Sequence, residues 1–119
     1  MKKDIAESWV KALRSGLYEQ GDGALRLDGI KPRYCCLGVL ADLGVRAGAL
    51  SNRALVGTYL DYETITWAGV QSGCDPHFRR PEPEDQGSDP EQTRLSWLND
   101  RGISFGEIAD LIEAHADEL

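Results

Sequence analysis

The chain predicts an α+β domain rich in helix, and three observations carry that prediction. Apolar residues recur at helical spacing near both ends, at Ile5, Trp9, Ala12 and Leu13 and again at Phe105, Ile108, Ala109 and Ile112. Between them lies the uncharged run Tyr34-Cys35-Cys36-Leu37-Gly38-Val39-Leu40, in a sequence where 28% of residues are charged; such a run must be buried on nearly all sides. Third, Ala24 to Gly29 alternates apolar and polar residues between glycine turns, the pattern of a short strand. A length of 119 residues suits one domain over residues 1–119, with three to four short helices and a small β-hairpin.

The first helix is expected to start at the capping box Asp4-x-x-Glu7 and to stop at Gly16. Gln20-Gly21-Asp22-Gly23 is a turn, and residues 24–28 are expected to be a strand. Pro32 favours extended backbone before it, so residues 30–36 either pair with 24–28 as a hairpin or give way to a helix at Tyr34. Cys36, Val39, Leu40 and Leu43 predict a helix over 34–43 that ends at Gly44. Gly38 within it costs about 1 kcal/mol relative to Ala, which close approach of another element would explain. Residues 54–60 have strand character, and Tyr62 to Val70 predicts a short helix carrying Trp67. Residues 71–93 hold four Pro, two Gly and no periodicity, which predicts an irregular loop or lid. Leu95, Trp97 and Leu98 lead into a turn at Asn99-Asp100-Arg101-Gly102, and Ser104-x-x-Glu107 caps the last helix.

Charge narrows the function classes. The net charge is −7, with 11 Lys/Arg against 10 Asp/Glu in residues 1–83 and 2 against 10 in residues 84–119. An acidic back half argues against direct nucleic-acid binding, which needs a basic face. It allows a local basic site in the front half, or an acidic face that meets a basic host protein. No stretch is long and apolar enough for a membrane span, and Met1-Lys2-Lys3-Asp4 lacks a signal-peptide core. Three cysteines, two of them adjacent, make no disulfide framework, so a cytoplasmic location is expected.

One set of motifs goes further. Trp9-x-x-Ala12-Leu13-Arg14-Ser15-Gly16, Tyr18-x-Gln20-Gly21-x-Gly23-x-Leu25, Tyr34 to Leu40 with Asp42-Leu43, Trp67-x-Gly69 and Leu98-Asn99-Asp100-x-Gly102-x-Ser104-Phe105-x-x-Ile108-Ala109-Asp110 together resemble a group of short, mostly uncharacterised proteins of tailed phages and prophages. The similarity covers about residues 5–113 apart from the loops at 44–60 and 71–92. It brings no catalytic residue with it. What it implies is a setting: a phage accessory protein in the host cytoplasm, of a class that modifies or blocks host systems.

Candidate chemistry follows from residue types. Cys74-x-x-His77 with Cys35 and Cys36 offers zinc ligands, but adjacent helical cysteines diverge by about 100° and the usual paired spacing is absent, so no metal and no cofactor are expected. Thiol catalysis at Cys35 needs a base, and His77 and His115 are both peripheral. Gly21-x-Gly23 beside Arg26, Lys31 and Arg33 is better suited to an anion, since glycine amides approach phosphate and Arg grips it with two donors. Tyr18, Tyr34 and Trp67 add faces for a base, and Asn99 and Asp100 either contact a ligand or build their turn. The predicted ligand site is therefore Tyr18, Gly21, Gly23, Arg26, Arg33, Tyr34, Cys35, Trp67, Asn99 and Asp100. The function expected from it is non-enzymatic sequestration of a small nucleotide-derived anion in the service of anti-defence. The alternatives are an acidic inhibitor using Asp110, Glu113, Asp117 and Glu118, with Glu84, Asp85, Asp89 and Glu91 before them, and a small thiol-dependent or hydrolytic enzyme. A homo-oligomer is compatible with each.

Overall fold

Burial demands and close backbone approach explain most of the architecture in the computed structural model, which describes residues 1–79 and 93–119. Helix α1 (Lys3–Arg14) buries Ala6, Trp9, Val10 and Leu13 and packs chiefly against α5 (Phe105–His115), whose buried face is Phe105, Ile108, Ala109 and Ile112. Each large side chain fully removed from water contributes about 1.5–3 kcal/mol before the entropy of ordering it. Arg14 closes the α1–α5 seam on the solvent side through Asp110 at 2.6 Å and Glu113 at 3.2 Å.

At the centre is α2 (Cys36–Arg46), in which every residue from Cys36 to Ala41 is buried, as a run without charge requires. The Trp9 indole donates to the Cys36 carbonyl at 2.9 Å and ties α1 to its head. A β-carbon on Gly38 would lie 1.7 Å from the Leu25 carbonyl oxygen, so the expected close approach is real and comes from the strand segment. The hairpin forms too: β2 (Arg26–Leu27) pairs antiparallel with β3 (Arg33–Tyr34). On its other side β3 also pairs in parallel with β1 (Glu19–Gln20), making a three-stranded sheet.

Several local expectations need correction. Asp4 lies inside α1, whose N-cap is Lys2 with no side-chain bond; the Lys2 N–H instead reaches the Ala68 carbonyl at 2.8 Å. Helix α2 runs through Gly44 to Arg46, and position 44 is glycine for packing rather than as a stop, because Leu50 fills the space a side chain would need there. Residues 54–60 form no strand: Asn52–Leu55 is a 3-10 turn, followed by bends. Helix α3 is Tyr62–Ala68, capped by Asp61 and stopped at Gly69. Of residues 71–93, positions 80–92 lie outside the described residues, but β4 (His77–Phe78) pairs antiparallel with β5 (Thr93–Arg94) and so orders both flanks. Of the turn expected at 99–102, Arg101-Gly102 is present, while Asn99 and Asp100 complete helix α4 (Leu95–Asp100), from which the Asn99 side chain enters the interior. Ser104 caps α5 by accepting from the Glu107 amide at 3.2 Å.

Candidate functional site

The predicted site residues fall into two groups that differ in how their polar atoms are used. Asn99 is 2% exposed and joins three segments. Its Nδ2 donates to the Gly21 carbonyl at 2.8 Å, and its Oδ1 accepts from the Cys36 amide at 3.1 Å and from Gln20 Nε2 at 3.0 Å. The Gly21 amide donates to the Tyr34 carbonyl at 2.8 Å, and the Gly23 amide to Asp100 Oδ1 at 3.2 Å. Both amides of the glycine turn are thus engaged within the protein. A β-carbon on Gly21 would sit 2.9 Å from the Arg33 Cβ, so β1 and β3 approach only because it is glycine. Cys35 caps α2 by accepting from the Gly38 amide at 3.4 Å; burial pushes its thiol pKa up, and that of Cys36 further. A protonated, buried thiol is a packing group rather than a nucleophile.

The cations divide across the small sheet. Paired residues share a face, so Arg26 lies with Tyr34 on one side and Arg33 with Leu27 and Glu19 on the other. Arg26 and Arg33 therefore cannot grip one anion together. The Arg26 guanidinium stands 6.0 Å over the Tyr34 ring, which Tyr18 meets edge-on at 5.1 Å. The Tyr18 hydroxyl donates to Asp42 at 2.5 Å, and Arg46 reaches the same oxygen at 2.6 Å. Burial, then the Asp42 bond, holds the Tyr18 phenol pKa well above its ordinary value. Trp67 is elsewhere, packed on Gly44, eight residues and about 12 Å along α2 from Cys36.

Beyond Arg26 the surface opens. A groove of about 400 Å³ is lined by Arg26 and Asp28 on one wall and by Asn52, Val56 and Thr58 on the other. Arg26 Nε is 3.0 Å from Asp28 Oδ1, and both side chains are solvent-accessible, at 39% and 86%. The Leu25 amide donates to the Gly57 carbonyl at 2.9 Å, which fixes the two walls relative to each other. A second groove of about 530 Å³ adjoins through Val56 and presents Tyr62, whose exposure is 80%. Asp28, Asn52, Thr58 and Tyr62 did not stand out in the sequence. The available signal was an aromatic at the first position of a helix, off its buried face.

The acidic C-terminal helix is partly engaged. Asp110 and Glu113 share Arg14, and Glu118 pairs with His115 at 2.7 Å, which holds its carboxyl below the usual range. Glu84, Asp85, Asp89 and Glu91 lie outside the described residues. Among the described residues no cluster of His, Cys, Asp and Glu is arranged to hold a metal ion, and no helix is long and apolar enough to cross a membrane.

A family model described as "Domain of unknown function (DUF8296)" matches residues 1–116. No curated protein and no solved structure matches the chain.

Proposed function

We propose that this chain, which belongs to the DUF8296 family, is a non-enzymatic binding protein that captures a small anionic, nucleotide-derived ligand in the groove beside Arg26. The observation that carries the reading is the Arg26 guanidinium, partly exposed over Tyr34 at the wall of a groove of about 400 Å³. That volume lies within the range of small-molecule sites, about 300–1,000 Å³. A guanidinium held on an aromatic face keeps its outer N–H groups directed at a ligand and forms charge-assisted bonds to phosphate. The adjoining groove offers Tyr62 as a face for a base, which extends the fit from phosphate to nucleotide. The non-enzymatic character rests on the burial of the adjacent Cys35 and Cys36 thiols and on the engagement of His115 with Glu118 and Phe78. The setting, a phage accessory protein that counters a host defence from the host cytoplasm by sequestration, rests on the motif resemblance.

Calorimetric titration of the whole chain against cyclic nucleotides and ADP-ribose tests the reading. The expected result is saturable heat for at least one member, weakened at least about tenfold by Arg26→Ala, equivalent to about 1.4 kcal/mol. No heat from any member at concentrations well above micromolar overturns it.

A further inference from the structure

The groove carries a carboxylate where a simple anion site would carry a second cation. Resting on the Arg26 reading above, we propose that Asp28 selects for a vicinal diol beside the anionic group, so that the ligand is a ribose phosphate rather than a deoxyribose phosphate or a polyphosphate. Arg26 and Asp28 are two residues apart at the end of β2, and the strand period brings both to one wall. Among the described residues they are the only ionisable ones lining this groove, and their charges cancel. A triphosphate brought to Arg26 would meet the Asp28 carboxylate at close range. A phosphate monoester with a neighbouring diol would not, since its hydroxyls donate to a group that only accepts.

The Arg26–Asp28 pair does not close the site. It is an exposed ion pair of the kind worth about 0–1 kcal/mol, so one phosphate oxygen displaces Asp28 from Arg26 at small cost. Once displaced, Asp28 remains on the same wall with both oxygens available to a ribose 2′,3′-diol. A carboxylate accepting from ribose hydroxyls at the end of a strand is a recurring way of reading that sugar. Asn52 and Thr58 face it with neutral donors and acceptors, which suits the uncharged remainder of the sugar.

The test compares adenosine 5′-monophosphate, 2′-deoxyadenosine 5′-monophosphate and inorganic phosphate, titrated into the full chain and into its Asp28→Asn and Arg26→Ala variants. Because both side chains are exposed, the variants should fold, and a thermal melt verifies that. The ribonucleotide is expected to bind at least about fivefold tighter than its deoxy analogue, with the ratio falling towards one in Asp28→Asn. Inorganic phosphate should bind several-fold tighter to Asp28→Asn than to the native chain. Equal binding of both nucleotides to the native chain, or a ribose preference that survives in Asp28→Asn, overturns the role of Asp28 while leaving Arg26 as an anion site. Failure of all three probes to bind the native chain overturns the Arg26 site itself, and Asp28 with it.

Discussion

The Asn99 junction and the Arg26 groove lie on either side of one short stretch of chain, residues 20–28, yet they treat polar groups in opposite ways. At the junction, the Asn99 amide, the Gly21 and Gly23 amides and the Cys36 amide all have partners within the protein. At the groove, Asn52 and Thr58 expose side chains that have no hydrogen-bond partner among the described residues, and Arg26 has an exposed ion pair with Asp28 beside its contact with the Tyr34 ring. An interior where every donor is matched confers rigidity, because removing one partner strands the other. A surface with unmatched groups contributes little to folding and is available to a ligand. Rigidity in the first region is what places the second, through Leu25, whose amide and carbonyl bind Gly57 on the groove side and Cys35 on the core side.

The hardest test of that division is Gly38→Ala. Helix propensity alone favours alanine by about 1 kcal/mol. Against this, the new methyl would stand 1.7 Å from the Leu25 carbonyl oxygen and 2.6 Å from its carbon, both backbone atoms. Relieving the clash means moving Leu25 off α2 and breaking its bond with the Cys35 amide. Overpacking of this kind costs about 3 kcal/mol or more, so urea unfolding should show a large loss or no cooperative transition. A variant as stable as the native protein would mean that the strand is not seated on the helix as described.

Asn99→Ala should come next. It strands the Gly21 carbonyl and the Cys36 amide in the interior, at about 1–3 kcal/mol for each unsatisfied group. The expected loss is about 2–4 kcal/mol by chemical denaturation, with Arg26-dependent ligand binding weakened only through the change in fold. A stability loss below about 0.5 kcal/mol, with binding abolished, would reverse the assignment and make Asn99 a ligand residue.

These two positions also mark what could be read from the sequence. The Tyr34–Leu40 run and the two apolar stripes located the core because burial leaves a compositional trace. Gly38 announced a close approach because glycine inside a helix is costly without one. Asn99 was visible as a polar residue near a turn, but its role depends on Gly21 and Cys36, 78 and 63 residues away, and no local pattern encodes such a meeting. The same holds for Arg26 and Arg33. Their closeness in sequence suggested one cationic cluster, whereas strand pairing separates them to opposite faces. The third strand, β1, is illegible in the sequence because a two-residue parallel strand leaves no periodicity to detect. Residues 54–60 carry β-like composition at Ala54, Leu55 and Val56, yet the backbone turns there instead, and Gly57 meets Leu25.

Tyr18, which meets the Tyr34 ring under Arg26, gives a smaller, pH-dependent effect. Its proton is held more tightly in the folded chain than in the unfolded one, through burial and the bond to Asp42. Stability from this source is fully present below the unfolded phenol pKa of about 10 and is lost as pH rises above it. Tyr18→Phe should cost about 1 kcal/mol at neutral pH, the worth of one hydrogen bond to a charged acceptor less what Arg46 retains. Urea midpoints measured between about pH 9 and 11 should fall in the native chain and fall less in Tyr18→Phe. Parallel curves for the two proteins would show that the Tyr18–Asp42 bond does not persist in solution.

The smallest effect on folding is expected in the groove, and it separates the two regions most cleanly. Asn52→Ala and Thr58→Ala remove exposed side chains that bond to nothing among the described residues, and surface changes of this kind stay within about 0.5 kcal/mol. If the groove holds the sugar of a ribose phosphate, each variant should still weaken adenosine 5′-monophosphate binding by about threefold to tenfold, the range of one neutral hydrogen bond. Thermal melting and calorimetric titration of the same preparations read the two quantities side by side. Melting that drops as far as in Asn99→Ala would show that the groove wall is part of the fold's internal network. Unchanged melting with weakened binding is the signature of a wall whose polar groups face a ligand, because only an unmatched group can be removed without stranding a neighbour.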